Sequence, residues 1–211
     1  MNDSQGTARG GGISRRAFLS GTGAAAAATA LGQQTEPAKK AAVGEGTDAG
    51  AIASGPGSVQ LELTVNGNKM NTSVEPRVTL LDALRNYLDV TGCKRVCDRG
   101  TCGACTVMLD GKPVYSCIML ALEARGKAIK TAESLMGEGG KLDPVPAAFV
   151  RCDAQQCGFC TPGFVVAMRA AFDKNPKATP AEIEEALSGN ICRCGTYEQM
   201  RHAIAALCMK K

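Results

Sequence analysis

Tryptophan is absent from this sequence of 211 residues, aromatic residues make up 4% of it, and there is a single histidine. Stacking platforms for nucleic-acid bases are therefore scarce, and 24 Lys and Arg against 20 Asp and Glu give no concentrated basic surface. No run of eighteen or more strongly apolar residues occurs, so we expect no membrane-spanning helix. A nucleic-acid-binding protein and a membrane-spanning protein are both poor fits.

Cysteine, in contrast, is abundant, with 11 residues in the chain. This is about 5% of the residues, below the ~8–10% that marks a disulfide scaffold. The odd number also prevents complete internal pairing. A chain of this length forms one or two small domains, and we expect its cysteines to carry its chemistry.

The amino-terminal segment has the layout of an export signal. Ser14-Arg15-Arg16-Ala17-Phe18-Leu19 is a twin-arginine pattern, a weakly apolar alanine stretch follows, and Ala28-Thr29-Ala30 fits a cleavage site. We therefore predict a twin-arginine signal over residues 1–30 and a periplasmic location; the alternative is a tail with a chance pair of arginines. Residues 31–57 lack apolar mass and are predicted to be a flexible linker or arm.

Residues 58–136 predict a small mixed sheet crossed by one helix. Apolar residues alternate from Val59 to Val65, Asn66-Gly67 suits a type I′ hairpin turn, and a second strand runs to Val74. Thr79 is a candidate N-cap for a helix that reaches Leu88. Further strands are predicted over 106–109, 114–120 and 128–130.

Residues 137–211 predict four short helices, over 144–153, 162–174, 180–188 and 197–208. Asp143, Thr161 and Thr179 each precede a proline and are predicted N-caps. Thr179 and Thr196 are each followed three residues later by Glu or Gln, as in a capping box. Gly189 is the predicted C′ residue of the third helix. Such helices pack around a shared apolar seam.

The first group of cysteines has the spacing of a plant-type ferredoxin. Cys97, Cys102 and Cys105 follow a C-x₄-C-x₂-C pattern, and Cys117 lies on the predicted return strand. Four thiolates at this spacing bind a [2Fe–2S] cluster. Two glycines in the loop allow the backbone to wrap closely, with N–H groups directed at the sulfurs.

A second group of cysteines falls at predicted helix ends, where N–H groups without helical partners favour thiolates. Its members are Cys157, Cys160, Cys192 and Cys194. We predict that it holds a second [2Fe–2S] cluster. Structural zinc and structural disulfides are the alternatives for both groups. The other cysteines, Cys93, Cys152 and Cys208, are predicted not to be ligands. The single histidine, His202, is predicted to be an ordinary helix residue.

Three ordered motifs span much of the chain: CDRGTCGACTV from Cys97, QCGFCTPG from Gln156 and GNICRCGTY from Gly189. Together they resemble the iron–sulfur part of the molybdenum hydroxylases, a family that includes xanthine dehydrogenases, aldehyde oxidoreductases and carbon monoxide dehydrogenases. The resemblance covers Val59 to about Leu207. With its export signal, the chain most resembles the iron–sulfur subunit of a periplasmic aldehyde oxidoreductase.

The resemblance implies an α+β fold, with an N-terminal ferredoxin-like β-grasp domain followed by a C-terminal four-helix domain, each holding one [2Fe–2S] cluster. It implies that the helical-domain cluster faces the molybdopterin of a large partner subunit, where Cys194 touches the pterin and Gln156 hydrogen-bonds near it. The β-grasp cluster would pass electrons to a FAD-binding subunit or to an external acceptor such as a cytochrome.

The loop of the first group departs from the family pattern. Many members carry Gly and Glu where this chain has Val96 and Arg99. A cation beside a cluster favours its reduced, more negative state, so we expect a somewhat raised reduction potential.

The sequence shows no nucleophile–base constellation, no flavin site and no room for a molybdenum domain. We therefore expect an electron-transfer subunit of an oxidoreductase complex that oxidises aldehydes or N-heterocycles, with the substrate chemistry on another chain. A stand-alone two-cluster ferredoxin-type carrier and a zinc-stapled structural module are the alternatives.

Overall fold

The computed structural model describes residues 55–209. The predicted signal over 1–30 and most of the predicted linker over 31–57 lie outside these residues. Within them, five strands and one short α-helix come first and four longer helices follow, so the fold is α+β as expected. No helix in this part of the chain is both long and apolar enough to cross a bilayer.

The strands form one mixed sheet. Its order is β2-β1-β5-β3-β4, in which β5 is parallel to β1 and the other neighbours are antiparallel. The bounds are β1 Val59–Val65, β2 Asn68–Val74, β3 Thr106–Leu109, β4 Lys112–Tyr115 and β5 Ala128–Lys130.

The turn between β1 and β2 has the predicted type I′ form. Asn66 and Gly67 have φ of 51° and 84°, and Val65 pairs with Asn68 across the turn. A type I′ turn matches the twist of the two strands but needs residues that tolerate the left-handed region. This turn fixes the register in which β1 buries alternate side chains.

The helix that crosses the sheet is only partly α-helical. α1 covers Leu80–Asp82, and Ala83–Tyr87 continue it as a π-helical turn. Thr79 caps it as predicted, because the Thr79 hydroxyl accepts a hydrogen bond from the Asp82 N–H at 3.1 Å. The buried leucines of this helix pack with β1 in the first core, which gives the β-grasp arrangement.

The strand predicted over 114–120 is wrong in extent. β4 ends at Tyr115, and Ser116–Ile118 form a 3₁₀ turn. The Ser116 hydroxyl donates a hydrogen bond to the Cys105 carbonyl at 2.7 Å, which folds the chain back onto the ligand segment and ends the strand. Cys117 therefore lies in a turn and not on the return strand.

Four helices form the second module, and their ends lie within two residues of the predicted ones. They are α2 Pro144–Arg151, α3 Thr161–Lys174, α4 Pro180–Ala186 and α5 Tyr197–Cys208. Asp143 caps α2 by accepting from the Val145 N–H at 2.9 Å. The capping box of Thr179 and Glu182 on α4 is also confirmed.

Three of the predicted helix ends are wrong. Cys160, not Thr161, is the N-cap of α3, and the buried Thr161 hydroxyl has no hydrogen-bond partner among residues 55–209. The Thr196 hydroxyl does not cap α5, because it lies 3.2 Å from Cys192 Sγ. The C-cap of α4 is Leu187, so its C′ residue is Ser188 and not Gly189. Thr161, Thr196 and Gly189 adjoin ligand loops, and their local geometry follows those loops.

The two modules share an interface, and the described residues fall in one compact unit. Met108 of β3 packs with Val166 and Ala170 of α3 in a small core of its own. A side of the sheet therefore rests on α3, the helix that begins at the second cysteine group. The predicted domain boundary at 136/137 lies in the segment that leads into α2.

Candidate metal centres

The loop that carries the first cysteine group contains glycines in the left-handed backbone conformation and backbone N–H groups that donate to sulfur. Gly100 and Gly103 both have φ of 70°. The Gly100 N–H donates to Cys117 Sγ at 3.2 Å, and the Thr101 N–H donates to Cys97 Sγ at 3.4 Å. The expectation that loop amides are directed at the sulfurs is confirmed.

The four thiols of the first group form two close pairs. The Cys97 thiol lies beside that of Cys102, and the Cys117 thiol lies beside that of Cys105. One pair belongs to the loop itself. The other is fixed by the sheet, because Cys105 immediately precedes β3 and Cys117 follows β4.

Cys97 and Cys117, one from each pair, differ in the ease with which the thiol loses its proton. The backbone N–H groups of Arg99 and Thr101 lower the pKa of Cys97 to about 6, so its thiolate is available at neutral pH. Burial raises the pKa of Cys117 to about 11, so that thiol keeps its proton until a metal displaces it.

The second group also forms two close pairs, and each pair joins two loops. Cys157 and Cys160 precede α3, whereas Cys192 and Cys194 lie between α4 and α5. Cys194 Sγ is 3.4 Å from Cys157 Sγ, and the Cys160 thiol lies beside that of Cys192. This group therefore closes only when the two loops meet.

The start of α5 holds Cys192. Its N–H donates to the Tyr197 hydroxyl at 2.8 Å. Burial opposes ionisation of the Cys192 thiol, but the Thr196 hydroxyl and N–H lower its pKa to about 7. Burial raises the pKa of its partner Cys160 to about 12.

Two pairs of thiolates suit a pair of bridged irons, because each iron of a [2Fe–2S] cluster takes two cysteine ligands. A zinc ion instead needs four ligands around a single point. Within residues 55–209, no three His, Cys, Asp or Glu side chains are grouped as a single metal ion requires. No cysteine in this part of the chain forms a disulfide. The paired arrangement of the donors is thus the one that two [2Fe–2S] clusters need.

The second group lies at the surface, together with the residues predicted to meet a pterin. Cys157 and Gln156 are exposed and Cys194 is half-buried. The Cys157–Cys194 contact brings Cys194 close to the residue that follows Gln156. Phe159 and Ile191, beside the same ligands, are 50% and 49% exposed. The roles of Gln156 and Cys194 toward a pterin stay predictions.

The remaining cysteines and the histidine take no part in either group within the described residues. Cys93 is 2% exposed, and Cys152 and Cys208 pack against the second core. His202 is exposed on α5, 3.5 Å from the Glu198 carboxylate. That none of them is a ligand stays a prediction.

The ligand loops of the two groups contact each other directly, which the sequence did not predict. The Ile191 N–H donates to the Cys102 carbonyl at 2.9 Å. The Asn190 side-chain amide donates to the Gly103 carbonyl at 3.0 Å. Two adjacent residues of the 189–194 loop thus bind two adjacent residues of the first loop.

Glycines make this close approach possible. A Cβ on Gly163, in the first turn of α3, would lie inside 3.0 Å of the Gly103 carbonyl oxygen. The Tyr115 hydroxyl donates to the Gly189 carbonyl at 3.0 Å, and a Cβ on Gly189 would meet that same hydroxyl. Alanine is favoured over glycine within a helix, so Gly163 was the sequence signal that could have revealed the contact.

Two protein families match consecutive parts of the chain. Residues 63–134 match the family described as "2Fe-2S iron-sulfur cluster binding domain". Residues 131–205 match the family described as "[2Fe-2S] binding domain". The first range contains one cysteine group and the second range contains the other.

Similar proteins are named as subunits of oxidoreductases. The chain is 44% identical to the nicotine 6-hydroxylase small subunit of Paenarthrobacter nicotinovorans, over 69% of this chain and 87% of that one. It is 40% identical to the aldehyde oxidoreductase iron-sulfur-binding subunit PaoA of Escherichia coli (strain K12), over 71% of each. The crystal structure of quinoline 2-oxidoreductase from Pseudomonas putida 86 matches with a TM-score of 0.68 and 41% identity, over 72% of this chain and 94% of that chain.

Proposed function

The chain belongs to the family of two-cluster iron–sulfur subunits of molybdenum hydroxylases, and we propose that it conducts electrons between a molybdopterin-binding partner and a second acceptor. The observation that carries this proposal is the presence of two four-thiol groups, each in two close pairs, on loops that contact each other. A bound [2Fe–2S] cluster supplies one-electron redox chemistry. The substrate reaction belongs to the complex and not to this chain.

The chain's own residues bind the clusters, tune them and shield them from water. Gly100 and Thr101 direct N–H groups at the first group, and N–H groups near sulfur stabilise added negative charge. Cys105, Cys117 and Cys192 are buried, which limits solvent access on the sides where the two modules meet.

The exposed side of the second group is the proposed docking face for the large molybdopterin-binding subunit. Phe159 and Ile191 are half exposed beside the ligands, and large apolar side chains left at a surface mark interaction sites. Gln156 and Cys194 lie on this side and are the residues proposed to contact the pterin.

The first group is proposed to pass electrons onward to a FAD-binding subunit or to a cytochrome. Val96 and Ile118, each next to a ligand cysteine, are 56% and 65% exposed and give this group an apolar rim of its own. The proposed substrate class of the complex is aldehydes or N-heterocycles, because the similar proteins are named for nicotine, quinoline and aldehyde oxidation.

Export by the twin-arginine route to the periplasm is also proposed. Its support is the Arg15-Arg16 pair before an alanine-rich stretch. Replacing both arginines by lysine should leave the protein in the cytoplasmic fraction, whereas the wild type is recovered from the periplasm. Wild-type protein found only in the cytoplasm would contradict the proposal.

Assembly is tested on the protein purified from its native host. We expect this chain to co-elute with a larger molybdopterin-containing subunit. Phe159→Glu should release it from that subunit while both clusters remain. Met209→Glu is the matched control, because Met209 is 76% exposed at the far end of α5, roughly 18 Å from the ligand loop. A lone wild-type chain with both clusters would favour the stand-alone carrier.

A further inference from the structure

Asn190 joins the two ligand loops through its side chain. It is 6% exposed, and its Nδ2 donates to the Gly103 carbonyl at 3.0 Å and approaches Thr106 Oγ1 at 3.4 Å. The Thr106 hydroxyl donates to the same Gly103 carbonyl at 2.6 Å. Gly103 lies between two ligands of the first group, and Asn190 lies two residues before Cys192.

Tyr115 connects β4 to the 189–194 loop. It is the last residue of β4, two residues before Cys117, and its hydroxyl donates to the Gly189 carbonyl at 3.0 Å. Together with the backbone hydrogen bond from the Ile191 N–H to the Cys102 carbonyl, the contacts of Asn190 and Tyr115 tie three consecutive residues, 189–191, to the first module. Neither side chain hydrogen-bonds to a ligand sulfur within the described residues, so we expect neither to be needed for holding the iron.

We propose that Asn190 and Tyr115 are positioning residues for electron exchange between the two clusters. The inference rests on the proposed function. Electron tunnelling weakens exponentially with the distance between donor and acceptor, so a small separation of the loops slows exchange strongly. A buried amide between two loops and a phenol hydroxyl across them fix that distance, because parting the loops leaves buried polar groups without partners.

The variants that test this remove hydrogen bonds between the two modules. Tyr115→Phe removes one hydroxyl and keeps the ring. Asn190→Asp keeps the shape but places a carboxylate against the Gly103 carbonyl, which repels it. The matched controls are Tyr87→Phe, at a side chain 49% exposed, and Asn71→Asp, at an exposed position of β2.

The experiment uses the complex purified from its native host. Iron content, the number of EPR signals and the potential of each cluster are recorded first. One electron per chain is then delivered by a photoreductant, and samples are frozen at increasing delays to follow the electron between the two EPR signals. The spin–spin splitting between the two reduced clusters is measured on separate samples of each variant in which both clusters have been reduced.

We expect both clusters to be present in Tyr115→Phe, with potentials matching those of Tyr87→Phe. Exchange should be several-fold slower and the splitting weaker, and both effects should be larger in Asn190→Asp. A merely structural role would lower the melting temperature without changing exchange at full iron content. Unchanged exchange and splitting in Tyr115→Phe would overturn the inference, and this variant decides if Asn190→Asp fails to load. Fewer than two clusters in the wild type would instead overturn the proposed function.

Discussion

Replacing Gly163 by alanine tests the contact between the ligand loops most severely. Gly163 is buried in the first turn of α3. A Cβ at this position would lie inside 3.0 Å of the Gly103 carbonyl oxygen and 3.1 Å from Ala104 Cα. Both obstructing atoms belong to the backbone, so no side chain can rotate away. Either α3 or the first ligand loop must move.

Opposing effects decide the size of the change in the free energy of unfolding. Alanine is better than glycine in a helix by ~1 kcal/mol. Overpacking costs ~1–3 kcal/mol, and each hydrogen bond lost when the loop moves, including that of Asn190, costs ~1 kcal/mol more. The clash exceeds the helix preference, and we expect a net loss of ~1–3 kcal/mol. At this chain size, that loss lowers the melting temperature by about 3–10 °C.

The assay follows the visible absorbance of the clusters while the loaded protein is heated. Gly57→Ala is the control, because a Cβ at Gly57 meets no atom within 4 Å, and we expect it to melt with the wild type. Gly163→Ala should also retain less iron at a given temperature. A Gly163→Ala protein that melts at or above the wild-type temperature would refute the close contact.

Three further predictions concern single side chains. Arg99 Nε donates to the Cys97 carbonyl at 3.1 Å, which keeps a cation beside the loop. Arg99→Glu should therefore lower the reduction potential of the first cluster by roughly tens of millivolts, and by less at high salt. A rise of that potential in a redox titration would contradict this. Cys93 is 2% exposed, and burial raises its pKa to about 12. Iodoacetamide should therefore label Cys93 far more slowly in folded than in unfolded protein, as followed by mass spectrometry. Equal labelling rates in the two states would contradict this. Thr179→Ala should cost ~1 kcal/mol of unfolding free energy through loss of the capping box on α4, and an unchanged denaturation midpoint would show that the cap contributes nothing.

Features set by neighbouring residues could be predicted from the sequence. The Asn66-Gly67 turn, the Thr79 and Thr179 caps and the four-helix module depend on a few adjacent side chains, and all of them are present in the structure. The cysteine motifs within each loop were predictable for the same reason, since C-x₄-C-x₂-C, C-x₂-C and C-x-C are local spacings typical of cluster ligands.

Features set by contacts between distant segments could not be predicted. Thr196 has the sequence of a capping residue, but its hydroxyl is used by Cys192. The end of β4 depends on Ser116 reaching back to the Cys105 carbonyl. The contacts of Asn190 and Tyr115 join residues 87 and 74 positions apart, and no periodicity or spacing rule carries that information.

Counting irons and EPR signals in the reduced complex tests the central claim most directly. About four irons per chain and two distinct signals are predicted. Cys102→Ser should remove one signal and Cys160→Ser the other. A colourless protein that contains zinc, a single signal in the wild type, or two intact signals in either variant would contradict the account.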